Sequence, residues 1–536
     1  MAIRVVYEDL SPLAKGDSTP TSTDKKDFVD MNDLKSEELT PFSNYALCLP
    51  RYSKLDGRFV NAPNEIPKSG LGYVSKSISK ADGTFEKNPM IEILFTQNHT
   101  AVGLNLIFNE HSGDYADYLN IKWYRDEELL SDKDFRPNSA NYSCMNNVQL
   151  FNRILIEFKK TSKPYRYIFI GGVIYGIIRN YEKNEIMRIN LLSEISQIGE
   201  ELSINTFGFT LVSQTDTEYL FQKQQQLKLF NGDKLLGSYF IDTATRKSEK
   251  TYDIKCYDLI GILDQTVFMG GIYNGVRAGS ILEKIFGEAN IGYTVDNVTA
   301  EKLIYGYIPI LTRREALCWI CMATGSVADT TNSETVDIYR IDEEVKRNID
   351  ITQQYECTKI ENSVIVTGIK LTSYTYTEAT DVVTVFEEIL NGRTLIEFSE
   401  PLYSLSISGG TIEESGTNYA IITGTGSKVV LTGKVYNVST KVTEKANPLI
   451  GALDIKNVVE VSDCTIISSN NAEEVAERVL SYYLKTKKVN AKIILGDNDL
   501  GDTVTIEAGF EGQIKGVIEK LEISANNKLA GKVVIR

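Results

Sequence analysis

Hydrophobic and polar residues alternate with a period of two along much of residues 90–176. The clearest runs of alternating apolar residues are Val102, Leu104, Leu106 and Phe108; Leu119, Ile121 and Trp123; and Ile154, Ile156 and Phe158. A period of two places alternate side chains on one face of a β-strand. Residues 41–180 are therefore predicted to form a β-sandwich. Residues 1–40, which are rich in Ser, Thr, Asp and Lys, are predicted to be an extended arm.

Two further β-rich regions, 181–275 and 466–536, are each predicted to contain a small β-barrel. The first has a hairpin signal at Asn231-Gly232, and the second is expected to end in a hairpin that turns at Asn526-Asn527. Between them, residues 276–374 contain both helical and strand patterns, and residues 375–465 are predicted to form an inserted all-β module. The predicted fold class is mainly β with a mixed α/β middle.

Three helices are predicted in the second half of the chain. Thr312 and Glu315 form a capping box for a helix that ends at Gly325. Ser280 and Glu283 are predicted to cap a helix that ends at Gly287, and Asn471 with Glu474 to cap a third, whose buried side carries Val475, Val479 and Tyr482.

Charge and hydropathy argue against some classes of function. The chain has 536 residues, a net charge of −15 and 42% hydrophobic residues, which is typical of soluble globular protein. The negative charge argues against broad or sequence-specific nucleic-acid binding, which needs clustered Lys and Arg. The longest apolar stretch, 167–178, is shorter than the roughly 20 residues of a membrane span. The N-terminus has no secretory-signal pattern, so synthesis in the cytoplasm without export by that route is expected.

The residues that could carry catalysis or bind a metal are few. The only histidines are His99 and His111, and the seven cysteines are scattered and odd in number. Cys318 and Cys321 form a C-x-x-C pair, but both fall inside the predicted Thr312 helix, where core packing is the favoured interpretation. No catalytic residue, metal site or cofactor is predicted.

A glycine-rich segment, Gly424 to Lys428, has only a superficial likeness to a phosphate loop. Its spacing is wrong for that motif, and it lies between two alternating runs, so a hairpin turn is predicted.

Aromatic residues give one candidate binding site. Tyr115, Tyr124 and Tyr142 lie in or beside polar segments of the predicted sandwich, where their rings could stack on sugars. These three are the candidate carbohydrate-binding residues, and ordinary surface or interface packing is the alternative. Trp123 shares its face with Leu119 and Ile121 and is predicted to be core.

Several segments, in order, resemble the phage tail baseplate hub, or late control D, family. They are Ser193 to Ser213, Leu227 to Leu263, Gly306-Tyr307-Ile308-Pro309 followed by Thr312 to Leu317 and Ala323-Thr324-Gly325, Ala472 to Ala476, Leu500 to Val504, and Gly516 to Glu519. The resemblance covers residues 185–536. It implies a homotrimer in which each subunit supplies two tail-tube-like barrels to a hexameric tube.

The N-terminal region resembles the galactose-binding-like sandwiches of phage tail-tip proteins. The segments that carry the resemblance are Lys54 to Gly57, Gly72 to Ser75, Asn120 to Tyr124, Lys163 to Tyr167 and Ile174 to Gly176. Such modules bind sugars in some proteins and only support assembly in others.

These resemblances imply a structural hub that joins the hexameric tail tube to a central spike or tip. The implied partners are the tail tube protein, distal tail or baseplate proteins, the spike or tip protein and, as a further candidate, the tape measure protein. Synthesis in a bacterial host cytoplasm and assembly into a virion tail or phage-tail-like particle are expected. A cell-wall carbohydrate-binding adhesin is the alternative, and a wall-degrading enzyme ranks below both.

Overall fold

The computed structural model describes most of the chain. The described residues are 3–10, 12–27, 29–35, 45–46, 60–61, 72–108, 113–212, 221, 223–289, 291–355, 358–450, 456–496, 498–525 and 530–536. They divide into two compact units, here called the N-terminal unit (6–180) and the main unit (1–5 and 181–536). Outside the described residues lie several features of the sequence analysis: Cys48, the segment Lys54 to Gly57, His111, Cys357 and the turn at Asn526-Asn527.

The first part of the chain is almost entirely β. Its elements are β1 (Ile3–Leu10), α1 (Pro12–Asp17), β2 (Thr19–Thr21), β3 (Tyr45–Ala46), β4 (Val60–Asn61), β5 (Tyr73–Ile78), β6 (Met90–Ile107), β7 (Ala116–Arg125), β8 (Glu128–Phe135), β9 (Asn141–Thr161), β10 (Tyr167–Ile170) and β11 (Gly172–Tyr181), with a 3-10 turn at Met31–Lys35.

Two sheets face each other across the core of the N-terminal unit. One has the order β8-β7-β9-β6, with both β2 and β11 paired to β6, and the other pairs β5 with β10. The ring of Tyr73 from the small sheet stacks on that of Phe158 from the large one, with centroids 6.4 Å apart. Trp123 is buried in the same core, as its alternation with Leu119 and Ile121 predicts.

The prediction of an extended arm over residues 1–40 is wrong for the described part of that segment. Ala14, Met31 and Leu34 are buried in the core of the N-terminal unit. The Asp17 carboxylate accepts hydrogen bonds from the backbone N–H groups of Thr96 (3.1 Å) and Gln97 (2.9 Å). The polar composition of the segment favours an extended arm, yet several of its apolar residues are buried in the core.

The main unit contains the remaining elements. They are β12 (Ile186–Glu194), β13 (Thr206–Val212), β14 (Gln226–Asn231), β15 (Lys234–Arg246), β16 (Thr251–Tyr257), α2 (Leu259–Asp264), β17 (Val267–Phe268), β18 (Gly271–Arg277), α3 (Ala278–Gly287), β19 (Tyr293–Val295), α4 (Asn297–Glu301), β20 (Leu303–Ile308), β21 (Leu311–Thr312), α5 (Arg313–Thr324), β22 (Val327–Asp329), β23 (Val336–Tyr339), β24 (Arg347–Ile349), β25 (Lys359–Asn362), β26 (Gly368–Glu397), β27 (Leu402–Ser408), β28 (Gly410–Ser415), β29 (Tyr419–Ala446), β30 (Val458–Val461), α6 (Ala472–Leu484), β31 (Lys487–Ile494), β32 (Thr503–Glu507), β33 (Gln513–Ala525) and β34 (Ala530–Ile535).

The strands of residues 181–275 and those of residues 466–536, here called the two strand sets, lie in one sheet. This sheet is here called the central sheet. Its order is β14-β15-β16-β13-β12-β33-β34-β31-β25. Strand β12 belongs to the first set and β33 to the second, and they pair antiparallel from Ile189 opposite Ala525 to Glu194 opposite Lys520. The predicted turn after Asn231 is present, because Asn231 pairs with Lys234 across it.

Helices α3, α5 and α6 contribute buried side chains to one hydrophobic core of the main unit. Helix α5 has the predicted capping box between Thr312 and Glu315 and ends at Gly325 in the left-handed conformation. The predicted Ser280 cap is wrong: α3 begins earlier, after Arg277, with no side-chain cap. Asn471 does precede α6, but its side chain accepts from the Ser468 N–H group rather than capping the helix.

The inserted module is built on a two-stranded ribbon, here defined as β26 paired with β29. Strands β27, β28 and β30 extend it to five strands, and its own small core includes Leu402, Ile422 and Leu431. The hairpin turn predicted at Gly424 to Lys428 is wrong. That segment lies within β29, where Gly426 is a bulge between the pairs Asn391–Thr425 and Leu390–Ser427.

The predicted fold class is confirmed, since 58% of the described residues are in strands and 13% in helices. Among the described residues, no helix has the length and apolar character to cross a membrane.

Candidate functional site

The place where β12 meets β33 is the first candidate, because it joins parts of the chain that are far apart in sequence. Lys520 forms an ion pair with Glu194 across the two strands. One residue along β33, the Glu519 carboxylate accepts a hydrogen bond from Gln197 Nε2 at 2.9 Å. Burial raises the pKa of Glu519 above its ordinary value. A buried, hydrogen-bonded polar contact of this kind fixes the register of two strands more sharply than apolar packing does.

A second polar network ties the first strand set to the mixed region. The Thr330 hydroxyl donates to Asp258 Oδ2 at 2.7 Å and accepts from Asn205 Nδ2 at 3.1 Å. Asp258 also caps α2 by accepting from the Gly261 N–H group. Burial raises the pKa of Asp258 to about 7 and that of Asp329, which ends β22 directly before Thr330, to about 6.

Sequence analysis missed this network, although a local signal for Asp258 was present. The residue stands between the alternating strand that ends at Tyr257 and the apolar pair Leu259 and Ile260, which is the position of a helix N-cap. No local pattern indicates its partners, because they come from residues 205 and 330.

The arginines of the Thr312 to Leu317 motif bind backbone and carboxylate groups of neighbouring elements. Arg313 Nη1 donates to the Ile285 carbonyl at 2.8 Å, and its Nη2 to Glu288 at 2.6 Å, so this side chain closes the C-terminal end of α3. Arg314 Nε donates to Asp264 at 2.7 Å, and its Nη1 to the Leu202 carbonyl at 2.7 Å. The motif therefore connects the ends of α2 and α3 with the segment that contains Leu202.

Cys318 and Cys321 lie on the buried side of α5, as predicted. Cys318 Sγ donates to the Gly199 carbonyl at 3.2 Å. Burial raises the thiol pKa to about 11 for Cys318 and to about 12 for Cys321. Within the described ranges, no group of three or more His, Cys, Asp or Glu side chains is arranged to hold a metal ion. The arrangement fits packing of uncharged thiols.

The structure does not bring the three candidate carbohydrate-binding tyrosines together. Tyr124 and Tyr142 lie within strands rather than loops, and Tyr115 directly precedes β7. Tyr124 is opposite Arg153 on β9, and the residue after Tyr115 is opposite Thr161. At about 3.3 Å per strand residue, Tyr142 is up to about 35 Å from Arg153 along β9 and farther from Thr161. The register therefore places the three side chains at different positions along the sheet.

The surroundings of two of these tyrosines also leave little free ring surface. The Arg153 guanidinium lies 5.0 Å from the centre of the Tyr124 ring. Tyr142 packs partly against the core, and burial raises its pKa. Their role in carbohydrate binding stays a prediction.

Comparisons with known proteins gave matches only among solved structures. No family model and no curated protein matches the chain. It is similar to the 43 kDa tail protein of prophage MuSo2 from Shewanella oneidensis, at 9% identity and a TM-score of 0.44, over 67% of this chain and 95% of that one. It is similar to a tail protein from Neisseria meningitidis MC58, also at 9% identity and 0.44, over 67% and 93%. A third similar structure is prophage tail protein gp18 from Listeria monocytogenes, at 7% identity and 0.40, over 66% and 91%.

Proposed function

We propose that this chain is a structural hub protein at the baseplate or tail tip of a phage tail or phage-tail-like particle. The observation that carries the proposal is the central sheet, in which two strand sets from distant parts of the chain meet at β12 and β33. A subunit with two such sets would let three copies present six to a hexameric tail tube. The segments in residues 185–536 that resemble baseplate hub proteins connect this geometry with a hub function.

The free end of the central sheet supports a contact between subunits. Among the described residues, β25 pairs only with β31, so one side of this edge strand has no strand partner. Four large apolar side chains are exposed at or beside the edge: Tyr355 (44%), Val364 (78%), Ile365 (49%) and Ile494 (46%). Unpaired edges and clustered exposed apolar residues are features that proteins cover by association.

The experiment is the mass of the full-length protein in solution by mass photometry across a range of concentrations. We expect a trimer. The double variant Val364→Asp with Ile365→Asp should dissociate it, because each change places a charge at an apolar contact. Val298→Asp is the matched control, since Val298 is 57% exposed on α4 and away from this edge.

Two results would count against the proposed contact. A monomer at every concentration, with no trimer in the presence of tail tube protein, contradicts the trimeric hub. A trimer that survives the double variant as well as it survives Val298→Asp would move the subunit contact away from β25.

In the proposed assembly the hub contacts the tail tube on one side and a spike or tip protein on the other. Distal tail or baseplate proteins surround it. We further propose that the N-terminal unit is scaffolding for those neighbours and that the chain has no catalytic role. The separation of Tyr115, Tyr124 and Tyr142 along the sheet supports scaffolding over sugar binding.

Scaffolding is tested by a wall-binding assay with the full-length protein and purified host wall polysaccharide. Replacing Tyr115, Tyr124 and Tyr142 singly with Ala should leave retention of the protein unchanged. Saturable binding that a free sugar competes away, and that one of these variants loses, would instead assign the N-terminal unit to adhesion.

A further inference from the structure

A cavity in the main unit concentrates positive charge in an otherwise acidic chain. Its volume is about 520 Å³, and it lies between α6, the end of α5, the residues after β23, and β33. The basic side chains in its wall are Arg340, Arg478, Lys485 and Lys515, and the acidic ones are Glu343 and Glu474. The whole chain, by contrast, has 72 acidic and 57 basic residues.

The acidic residues do not balance this charge. Glu474 is already held by Lys302, whose Nζ lies 2.5 Å from its Oε1, while Arg340 is farther away at 3.6 Å. Lys485 and Lys515 form no ion pair with any described residue. Four cationic groups therefore face a cavity in which one carboxylate is already neutralised.

Arg478 carries the strongest sign of a missing partner. Its Nη2 donates to the Met322 carbonyl, but Nε and Nη1 are buried and have no hydrogen-bond acceptor among the described residues. Buried donors of a charged group that lack acceptors are unfavourable, because they lose their hydrogen bonds to water without a replacement. Burial correspondingly lowers the pKa of Arg478.

The backbone makes room for this guanidinium. Gly325, which ends α5, has a φ of 76°, and a Cβ at this position would lie 2.7 Å from Arg478 Nη1. The left-handed conformation favours glycine here, and the missing Cβ leaves the space that the Arg478 guanidinium occupies.

We propose that this cavity binds an oxyanion, namely a carboxylate or phosphate group, with Arg478 at its floor and Lys485, Lys515 and Arg340 around it. Arginine and lysine are the side chains that proteins use for such groups. An oxyanion would supply the acceptors that Arg478 lacks and neutralise the excess charge of the wall. The source is either a free anion or an acidic peptide segment, because the two share the recognised group.

The test is isothermal titration calorimetry of the full-length protein at low ionic strength, with inorganic phosphate and with a tetraglutamate peptide. We expect at least one probe to bind with a stoichiometry of one per chain. Lys515→Ala and Lys485→Ala, both at exposed positions, should each weaken binding about threefold to tenfold, and Arg478→Met should abolish it. Tetraglutamate binding at least tenfold tighter than phosphate indicates an acidic segment, and the reverse order indicates a free anion.

Lys441→Ala provides the matched control, because this exposed lysine lies on the ribbon and outside the cavity. Should Arg478→Met fail to fold, the two lysine variants keep the test decisive. Absence of heat with both probes overturns the proposal. So does binding that Lys441→Ala weakens as much as Lys515→Ala, since that result indicates nonspecific charge attraction. The outcome does not depend on whether the chain forms a trimer.

Discussion

The central sheet and the ribbon are both antiparallel, yet different kinds of contact hold them. The central sheet joins residues more than 300 positions apart, and buried polar side chains such as Asp258, Asn205 and Glu519 lie beside its strands. The ribbon pairs β26 with β29 over most of its length, has a small core of its own, and exposes Val382 and Ile389 by 61% and 76%.

The difference shows that buried polar contacts constrain the pairing of strands more strongly than pairing along an exposed ribbon does. A strand whose polar partners are buried can adopt only one register, because a slip would leave those groups without hydrogen bonds. A ribbon with one exposed face keeps its register through many local pairs and loses little when a single surface residue changes. The central sheet should therefore be the more sensitive of the two regions to single substitutions.

The largest expected effect comes from removing a buried side chain of the central sheet, and the core of the ribbon provides the comparison. Ile254→Ala, in strand β16, should lower the free energy of unfolding by about 2 to 5 kcal/mol, because it removes a buried side chain from the central sheet. Ile422→Ala, in the ribbon core, should reduce amide protection within β26 to β29 and leave the central sheet protected. Hydrogen exchange read by mass spectrometry measures both.

Equal loss of protection in the central sheet from both variants would contradict this comparison. It would mean that the ribbon and the central sheet unfold as one cooperative unit.

The next effect concerns pH. The pKa of Asp258 is about 7 in the folded protein against an ordinary value of 3.8, so the folded state binds more protons than the unfolded state between these values. Asp329, at about 6, acts in the same direction. The stability that these two groups contribute is fully present below about pH 4 and is lost as the pH rises to 7. Each adds a slope of at most about 1.4 kcal/mol per pH unit.

Asp258→Asn should flatten this part of the profile, because the amide keeps the Gly261 cap without a buried charge. Urea unfolding at pH 5, 6, 7 and 8 measures the slope. Asp381→Asn, on the exposed ribbon, is the matched control for the removal of one carboxylate. A profile of Asp258→Asn that is as steep as that of the wild type would show that this carboxyl group does not titrate in the folded protein.

The smallest effect concerns the attachment of the ribbon. Asn418 is fully buried, and its Nδ2 donates to the carbonyls of Met269 (2.7 Å), just after β17, and Ile308 (3.0 Å), at the end of β20. Asn418→Ala should cost about 1 to 3 kcal/mol, because two buried acceptors lose their donor. Val383→Thr, at a ribbon position 38% exposed, should change stability by less than about 0.5 kcal/mol. If Val383→Thr lowered stability in thermal unfolding more than Asn418→Ala does, this ranking of the two positions would be wrong.

How far the sequence predicts this fold depends on whether the signal is local. The capping box of Thr312 and Glu315 lies within four residues, and both the helix and its end at Gly325 are confirmed. The same logic failed at Ser280, because α3 begins at Ala278 and tertiary contacts set its start. The arm prediction failed for a related reason: Leu34 looks isolated in the sequence and becomes core only when other elements cover it.

The candidate sites were harder to predict than the fold. Arg313 and Arg314 were found through a motif, but their roles became clear only from acceptors at residues 202, 264 and 285. The excess charge around Arg478 could not be predicted at all, since the residues that line this cavity come from six separate segments. The tyrosine prediction used residue type without register, and the register places those side chains apart.

The measurement that tests the central claim most directly is an electron cryomicroscopy map of the assembled particle. The account predicts three copies of this chain in a ring at the end of the tail tube, with six strand sets facing the tube and a threefold face toward the spike or tip. A ring of six copies, a single copy, or a position remote from the tube would contradict it.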